Sequence, residues 1–266
     1  MSDSETTISN LFDNAQEEGS LSQTSLDILT GNDVGGDIMA NLGVSVDDVQ
    51  SSETLLVSIL IDDSSSIKFN NNTQAVRDGV NEIVKSLRGC TQNNAILIQL
   101  QYINGKVFNS FRLINDADAL DSKNYQPGGC TPLFDQTVRI LGTTLAKCDQ
   151  FAGVSVPHRS ITWIITDGAD VGSSEANERS CKSIVEDMLR QEIHIVGAMG
   201  IDDGETDFNK VFQDMGIRPE WIIEAGNTAS EIRKVLGFVS QSVSGAAQNS
   251  GSFSKTSQAG LGNFAN

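Results

Sequence analysis

Strand-like and helix-like apolar patterns alternate through the middle of the chain. Residues 55–61 (LLVSILI) form a nearly continuous apolar run, which is typical of a strand buried on both faces. The next apolar residues, from Val76 to Leu87, recur every three or four positions and predict a helix that buries one face. The same alternation continues to residue 243. The further predicted strands are 95–103, 106–114, 160–166, 192–198 and 221–224, and the further predicted helices surround residues 134–148, 174–189, 208–215 and 228–243.

The dipeptide Asn104-Gly105 separates the second and third predicted strands. This pair is a strong signal for a tight hairpin turn, so these two strands are expected to be antiparallel neighbours. Helices separate all the other predicted strands, and strand–helix–strand units form parallel sheets that are covered on both faces. The sequence therefore predicts an α/β fold: a doubly wound, mostly parallel six-stranded sheet with one antiparallel hairpin strand and helices on both faces.

The two ends of the chain differ in composition from the middle. Residues 1–53 contain eleven Asp and Glu residues and no Lys, Arg or His, and their apolar residues show no sustained period. We expect an acidic, flexible N-terminal arm over 1–53, which is either a solvated leader or a segment that docks on a partner. Residues 244–266 are rich in Ser, Gly and Gln and predict a flexible tail. Residues 54–243 remain as the folded domain.

The overall composition excludes several classes of function. The net charge is −17, which argues against binding to nucleic acid or to an anionic membrane surface, because both need basic patches. The four cysteines are widely spaced and form no C-x-x-C pair, so we expect buried free thiols in a reducing compartment. We find neither a signal-peptide pattern nor an apolar run long enough to span a membrane, and we therefore expect a cytoplasmic protein.

Oxygen-bearing side chains cluster where predicted strands end or helices begin. Asp62, Ser64 and Ser66 follow the first strand at alternate positions, and Asp167 follows the strand in ITWIITDGAD. Thr131, in PGGCTPLFD, is expected to be the N-cap of a helix with proline at its first position. Ligands of doubly wound sheets bind at the carboxyl ends of the strands, so these residues are expected to converge. Taken singly, each motif is an ordinary turn or helix start.

The combined pattern resembles the von Willebrand factor A (vWA) domain, also called the integrin I-like domain, with its metal-ion-dependent adhesion site. The resemblance covers roughly residues 54–243 and implies a Rossmann-like vWA fold. It also implies that Asp62, Ser64, Ser66, Thr131 and Asp167 hold a metal ion. By the same resemblance, the two serines bind the ion directly, the two aspartates act directly or through water, and Thr131 enters or leaves the inner shell with the ligand state.

The donor chemistry agrees with this assignment. Hydroxyls and carboxylates are hard oxygen ligands, and a site with few direct charges suits Mg²⁺, with Ca²⁺ or Mn²⁺ as alternatives. An acidic residue of a protein partner is then expected to complete the metal shell, and no residue is assigned a catalytic role. Asp63 and Asp170 are interpreted as solvated residues at the rim of the site.

The expected function is that of a non-catalytic, Mg²⁺-dependent protein-binding adaptor. The layout without inserted modules and the Ser/Gln/Gly tail are similar to intracellular prokaryotic or phage-type members of the vWA family, including those associated with tellurium resistance. That similarity implies a role in a stress-response or ATPase-associated complex.

Two alternatives stay open at this point. One is a Mg²⁺-dependent phosphohydrolase of an α/β fold, although Asp62-Asp63-Ser64 lacks the second acid two residues on that an aspartyl-phosphate enzyme uses. The chain also has neither a G-x-x-x-x-G-K-[ST] loop nor a G-x-S-x-G elbow. The other alternative is a structural module whose metal site is empty.

Overall fold

A six-stranded sheet forms the centre of the fold. The computed structural model describes residues 8–69, 72–91 and 93–248. The strands are β1 (Thr54–Ile61), β2 (Ile96–Tyr102), β3 (Val107–Leu113), β4 (His158–Thr166), β5 (His194–Ile201) and β6 (Ile222–Ala225). Their order in the sheet is β3-β2-β1-β4-β5-β6, and every neighbouring pair is parallel except the antiparallel pair of β2 and β3.

Helices cover both faces of this sheet. Those of the described residues are α1 (Asp13–Glu17), α2 (Gln23–Leu29), α3 (Asn32–Ala40), α4 (Ser66–Phe69), α5 (Thr73–Arg88), α6 (Leu133–Gly153), α7 (Glu178–Arg190), α8 (Phe208–Asp214) and α9 (Ala229–Gln248). The sheet grows outwards from β1 in both directions, so right-handed crossovers place α5 on one face and α6 and α7 on the other. On the first face α9 packs along α5. The predicted fold class is confirmed.

Two element boundaries differ from the predicted ones for local reasons. The helix α7 begins at Glu178 rather than near residue 174, since the Asn177 side chain accepts hydrogen bonds from backbone amides of the first turn as its N-cap. The strand β5 begins at His194 rather than at residue 192, since Glu192 has a φ of 58° and so leaves the extended conformation.

The last helix begins as predicted and runs past its predicted end. Thr228 and Glu231 form a capping box, in which the Glu231 carboxylate accepts from Thr228 N and the Thr228 hydroxyl accepts from Glu231 N. The helix then continues to Gln248, so residues 244–248 are helical rather than part of a flexible tail. Residues 249–266, the remainder of the predicted tail, lie outside the described residues.

The expectation of a flexible N-terminal arm is wrong for residues 8–53. Their three short helices pack on α6 and α7, and their apolar side chains join the same core cluster as the sheet. Polar contacts add to this packing, because the Asp187 carboxylate on α7 accepts from the backbone and the hydroxyl of Ser22. The buried apolar residues of this N-terminal segment are Leu11, Phe12, Leu21, Leu26, Leu29, Val34, Ile38 and Val49.

The end of the N-terminal segment covers the outer edge of β3. The backbone N–H of Val44 donates to Phe111 O at 2.8 Å, and the buried Lys147 of α6 donates to Val44 O. Gly43 has a φ of 72°, and a Cβ there would lie 2.0 Å from Phe111 O, so only glycine fits this approach. The segment therefore covers the edge of β3 at Phe111, where the strand would otherwise be open to pairing.

The cysteines of the fold are free thiols. Cys90, Cys148 and Cys181 are buried as expected, whereas Cys130 is exposed. None of the helices formed by the described residues combines the length and the apolarity needed to cross a membrane.

The substitution Gly142→Ala tests whether the N-terminal helices pack on α6. A Cβ at this helical position would lie 2.5 Å from Ile38 Cδ1 and 2.7 Å from Leu29 Cδ2. Overpacking should therefore lower the free energy of unfolding by about 1–3 kcal/mol. Urea denaturation followed by circular dichroism measures it.

Gly237→Ala in α9 is the matched control, because a Cβ there would meet nothing within 4 Å. Replacing an open helical glycine with alanine should raise stability by up to about 1 kcal/mol. If Gly142→Ala is stabilising as well, the N-terminal helices do not contact α6.

His194 should make stability fall in mild acid. Its buried ring has Nδ1 2.7 Å from the Ser160 hydroxyl oxygen and Nε2 3.2 Å from the Gln191 side-chain oxygen, so both ring nitrogens have a hydrogen-bond partner. Burial lowers the pKa of His194 to about 3, whereas an unfolded histidine titrates near pH 6.5. Between these two pH values the unfolded chain binds a proton that the folded protein does not bind. The contribution of neutral His194 to the free energy of unfolding is therefore complete above pH 6.5 and is lost as the pH falls towards 3.

The measurement is a comparison of unfolding free energies for the parent and His194→Gln from pH 8 to pH 4. The parent's advantage over the variant should shrink by about 1.4 kcal/mol per pH unit at most below pH 6.5. Subtracting the variant removes the titration of carboxylates elsewhere. A difference that does not change with pH would mean that His194 is not buried in its neutral form.

Candidate metal centre

The Asp62 carboxylate joins the carboxyl ends of β1 and β4. Asp62 is fully buried at the end of β1. Its Oδ1 accepts from Ser64 N at 2.7 Å, and its Oδ2 accepts from the Thr166 hydroxyl at 2.7 Å and from Asp167 N at 3.2 Å. Both oxygens are thus engaged by the protein, and these bonds fix the turn after β1 relative to the turn after β4.

The two serines of the motif lie against Asp167. The hydroxyls of Ser64 and Ser66 are 2.7 Å apart, and the Ser66 hydroxyl donates to Asp167 Oδ1 at 2.6 Å. The second carboxylate oxygen, Asp167 Oδ2, is buried and has no hydrogen-bond partner in the described structure. The structure therefore brings four of the five predicted residues, these three and Asp62, into one hydrogen-bonded cluster.

Thr131 is attached to the turn after β4 through its backbone, and its side chain is not part of the hydrogen-bonded cluster that the structure describes. Its N–H donates to Val171 O at 3.1 Å, and its carbonyl accepts from Val171 N at 2.8 Å, which forms a bridge to the turn after β4. Thr131 is not the N-cap that the sequence predicted, because α6 begins at Leu133 and Pro132 occupies the cap position. The threonine is consequently held by paired backbone rather than by a loosely attached loop.

The glycines before Thr131 attach to the turn after β1. Gly128 N donates to Asp63 O at 2.6 Å, Gly129 N donates to the Ser65 hydroxyl at 3.0 Å, and Ser65 N donates back to Gly129 O at 3.3 Å. Gly129 has a φ of 93°, a conformation that glycine adopts without strain. The three sequence segments that carry the predicted ligands therefore form one connected unit.

Two carboxyl groups of the site have pKa values above their usual range. Burial, followed by the nearby negative charge of Asp62, raises the pKa of Asp167 to about 7. Burial also raises the pKa of Asp63 to about 6, against the effect of the hydrogen bond that its Oδ1 accepts from Asn104 N at 3.0 Å. Asp63 is therefore buried next to the cluster, and its interpretation as a solvated rim residue is wrong. Concentrated negative charge of this kind favours a bound cation.

The donor set fits a small hard cation. An unpaired buried carboxylate oxygen and two adjacent hydroxyls supply oxygen ligands, which is the chemistry that Mg²⁺ prefers. Among the described residues no group of three or more His, Cys, Asp or Glu side chains is arranged to hold a metal ion. The carboxylates alone would therefore not complete such a site, and the serine hydroxyls have to contribute.

Sequence reasoning missed two residues that support Asp62. The Tyr125 hydroxyl donates to the backbone carbonyl of Asp62, and burial raises the pKa of Tyr125 well above its usual range, so it stays a donor. The Thr166 hydroxyl donates to the Asp62 side chain. Thr166 directly precedes the predicted Asp167, which is a usable signal, whereas Tyr125 lies in an irregular loop without any pattern.

A second pair of carboxylates fixes the turn after β4. The Asp135 side chain in the first turn of α6 accepts from the backbone N–H groups of residues 174, 175 and 176 at 2.7–3.1 Å. Asp170 Oδ1 accepts from Phe134 N at 3.2 Å and from the Ser173 hydroxyl. Asp170 therefore links α6 to the turn after β4, and it is half-buried, so its interpretation as a residue at the rim of the site stays a prediction.

The comparisons with known proteins support the fold. No family model matches the chain, and no curated protein matches it. The pilus adhesin SpaC from Lactobacillus rhamnosus GG has a TM-score of 0.52 at 14% identity, over 73% of this chain and 31% of the adhesin. This chain thus spans less than a third of that adhesin's length.

Two further structures are similar at lower scores. The SpRpn10 VWA domain has a TM-score of 0.48 at 13% identity, over 70% of this chain and 95% of that domain. The manganese-loaded Plasmodium vivax TRAP protein has a TM-score of 0.44 at 17% identity, over 70% of this chain and 72% of that protein. Identities this low, that of SpaC included, bear at most on the fold, and the two TM-scores below 0.5 carry no argument for it. The strand order, the antiparallel edge strand and the position of the D-x-S-x-S motif after β1 agree with the vWA-like fold that the sequence resembles.

Proposed function

We propose that this chain is a Mg²⁺-dependent protein-binding module that takes an acidic side chain of a partner protein at the candidate metal centre. The observation that carries the proposal is the buried, unpaired Oδ2 of Asp167 beside two serine hydroxyls. The residues that would hold the ion are Asp62, Ser64, Ser66, Thr131 and Asp167. When bound, Mg²⁺ supplies positive charge and exchangeable coordination positions that suit a carboxylate.

The hydrogen bonds divide the roles of these residues. Asp62 already accepts three protein hydrogen bonds, so it contributes mainly its charge and the alignment of the two turns. Ser64, Ser66 and Asp167 keep lone pairs that are free for a cation. A single directly available carboxylate leaves excess positive charge on a divalent ion, which favours a partner's acidic side chain. Mn²⁺ and Ca²⁺ use the same donors and are the alternatives.

The absence of a histidine near the serines favours an adaptor over a serine-type hydrolase. The chain contains two histidines, and they are the first residues of β4 and β5, at the opposite ends of these strands from the site. Nucleophilic serines in hydrolases usually need such a base within hydrogen-bond reach. The phosphohydrolase alternative predicts Mg²⁺-dependent turnover of p-nitrophenyl phosphate, and the adaptor predicts none.

The cellular setting rests on the resemblance alone. Similarity to intracellular prokaryotic and phage-type vWA proteins, including those associated with tellurium resistance, suggests a cytoplasmic stress-response or ATPase-associated complex.

Asp167→Asn should separate metal binding from folding. The amide keeps the shape of the side chain and an oxygen that accepts from Ser66, but it removes a buried charge near Asp62. Without metal at pH 8, the variant should be more stable than the parent by about 1–2 kcal/mol. Saturating Mg²⁺ should stabilise the parent and leave the variant unchanged, because only a protein that binds the ion gains stability from it. Urea denaturation with and without MgCl₂, together with calorimetric titration, measures both effects.

Asp63→Asn is the matched control, since Asp63 is also buried and raised in pKa but is not a proposed ligand. This control should keep its stabilisation by Mg²⁺. Asp62→Ala is a poor test, because it would leave three buried hydrogen-bond donors without an acceptor and destabilise the fold. Equal stabilisation of the parent and Asp167→Asn by Mg²⁺ would contradict the assigned site.

Partner capture should depend on the ion and on carboxylates of the partner. Immobilised protein should retain a partner from lysate in Mg²⁺, and should lose it in EDTA, in the Asp167→Asn variant, or after the lysate carboxylates are converted to amides.

The resemblance implies that Thr131 contacts the ion only when a partner is bound. Thr131→Val should therefore weaken partner capture more than it weakens Mg²⁺ affinity. Capture that persists in EDTA would show that the ion is not the bridge.

A further inference from the structure

An exposed cation lies beside the candidate metal centre. Lys68 belongs to the short helix α4, two residues after Ser66, and its Nζ is 3.7 Å from the position that a Cβ on Gly128 would occupy. Its side chain is exposed and forms no ion pair with any carboxylate in the described part of the chain. By contrast Lys106, another lysine near this edge of the sheet, lies over the Tyr102 ring at 6.0 Å from its centroid.

An exposed apolar side chain also lies beside the centre. Val171 is 58% exposed, and among the described residues the other exposed large hydrophobic side chain is Val154, at the far end of α6. The backbone bridge to Thr131 fixes Val171 beside the centre. Added Cβ atoms at Gly129 and Gly168 would meet nothing within 4 Å, so the surface around the centre is open.

Lys68 places a positive charge beside a negatively charged centre. The chain carries a net charge of −17, and Asp62, Asp63 and Asp167 concentrate negative charge at the centre itself. The protein as a whole therefore disfavours the approach of an acidic partner segment. Lys68, which forms no ion pair within the described part of the chain, is complementary to a second carboxylate of that segment, and complementary charges across an interface contribute to its specificity.

We propose that Lys68 and Val171 form a recognition rim. The rim selects partners by the residues that flank the metal-bound acidic side chain. The partner is an exposed acidic segment of another protein. One of its carboxylates goes to the metal centre, a second pairs with Lys68, and a neighbouring apolar side chain packs on Val171. This inference rests on the proposed function, because the first carboxylate needs the ion.

Synthetic peptides of one length test the rim in four classes. The first class contains one Asp, and the second contains two Asp residues one to four positions apart. The third class contains the same pair with an adjacent Leu. The fourth class is the third with both Asp residues replaced by Asn. Binding is measured by fluorescence anisotropy in Mg²⁺ and in EDTA. The pair with Leu should bind about tenfold tighter than the single Asp, and the Asn peptides should not bind.

Variants of Lys68 and Val171 test which residue causes the preference for the second Asp and which causes the preference for the Leu. Lys68→Gln should remove the advantage of the second Asp, and Val171→Ser should remove only the advantage of the Leu. Neither variant should weaken Mg²⁺ binding in calorimetry, since neither side chain is a proposed ligand. Lys234→Gln, which neutralises an exposed lysine on α9, is the matched control and should change nothing.

The outcomes separate the rim from the metal-bridging function. Mg²⁺-dependent binding of all acidic peptides without a preference for the pair would overturn the rim and leave the function intact. Peptide binding that survives EDTA would overturn the function. Mg²⁺-dependent self-association that Lys68→Gln abolishes, seen by analytical ultracentrifugation, would identify a second copy of this chain as the occupant and overturn the proposed partner.

Discussion

The position of the Asp62 carboxylate constrains every other part of the candidate site. Its two oxygens accept from the turn after β1 and from the end of β4, so they align the segments that carry Ser64, Ser66 and Asp167. Burial is the main cause of the raised pKa values of Asp167 and Asp63, and the buried negative charge of Asp62 raises both further. Alignment and electrostatic repulsion thus have one source. The fold tolerates this arrangement because the hydrogen bonds to Asp62 are numerous, and a cation would relieve the repulsion without changing them.

The surrounding elements make the site rigid rather than adaptable. The glycine turn before Thr131 bonds to the turn after β1, and Asp135 clamps the turn after β4 to α6. Arg139 on α6 extends this network outwards, because its guanidinium pairs with Glu175 in that turn (2.7 Å) and with Asp37 in α3 (2.6 Å). The N-terminal segment therefore supports the helix and the turn on which part of the site is built.

The sequence predicted the features that depend on local or periodic signals. The six strands, the hairpin at Asn104-Gly105 and the convergence of Asp62, Ser64, Ser66 and Asp167 follow from apolar runs and from the rule for strand ends. The packing of the N-terminal helices was missed because the helices are short and weakly periodic, α3 contains two glycines, and their burial depends on the gap that Gly142 leaves in α6. The burial of Asp63 was missed for a related reason, since its partner Asn104 is 41 residues away in the hairpin turn. Long-range packing of this kind leaves no mark in a single sequence.

A metal ion in such a site would distinguish poorly between partners, because any accessible carboxylate offers it the same donor. Discrimination has to come from side chains around the ion that favour one neighbouring sequence and oppose others. The chain as a whole is acidic, with a net charge of −17, and opposes acidic segments in general. Lys68 reverses that repulsion at one position, and Val171 offers apolar contact at another. Affinity from the ion and selectivity from the rim would then reside in different residues, which allows the partner sequence to change through surface substitutions while the buried cluster around Asp62 stays intact.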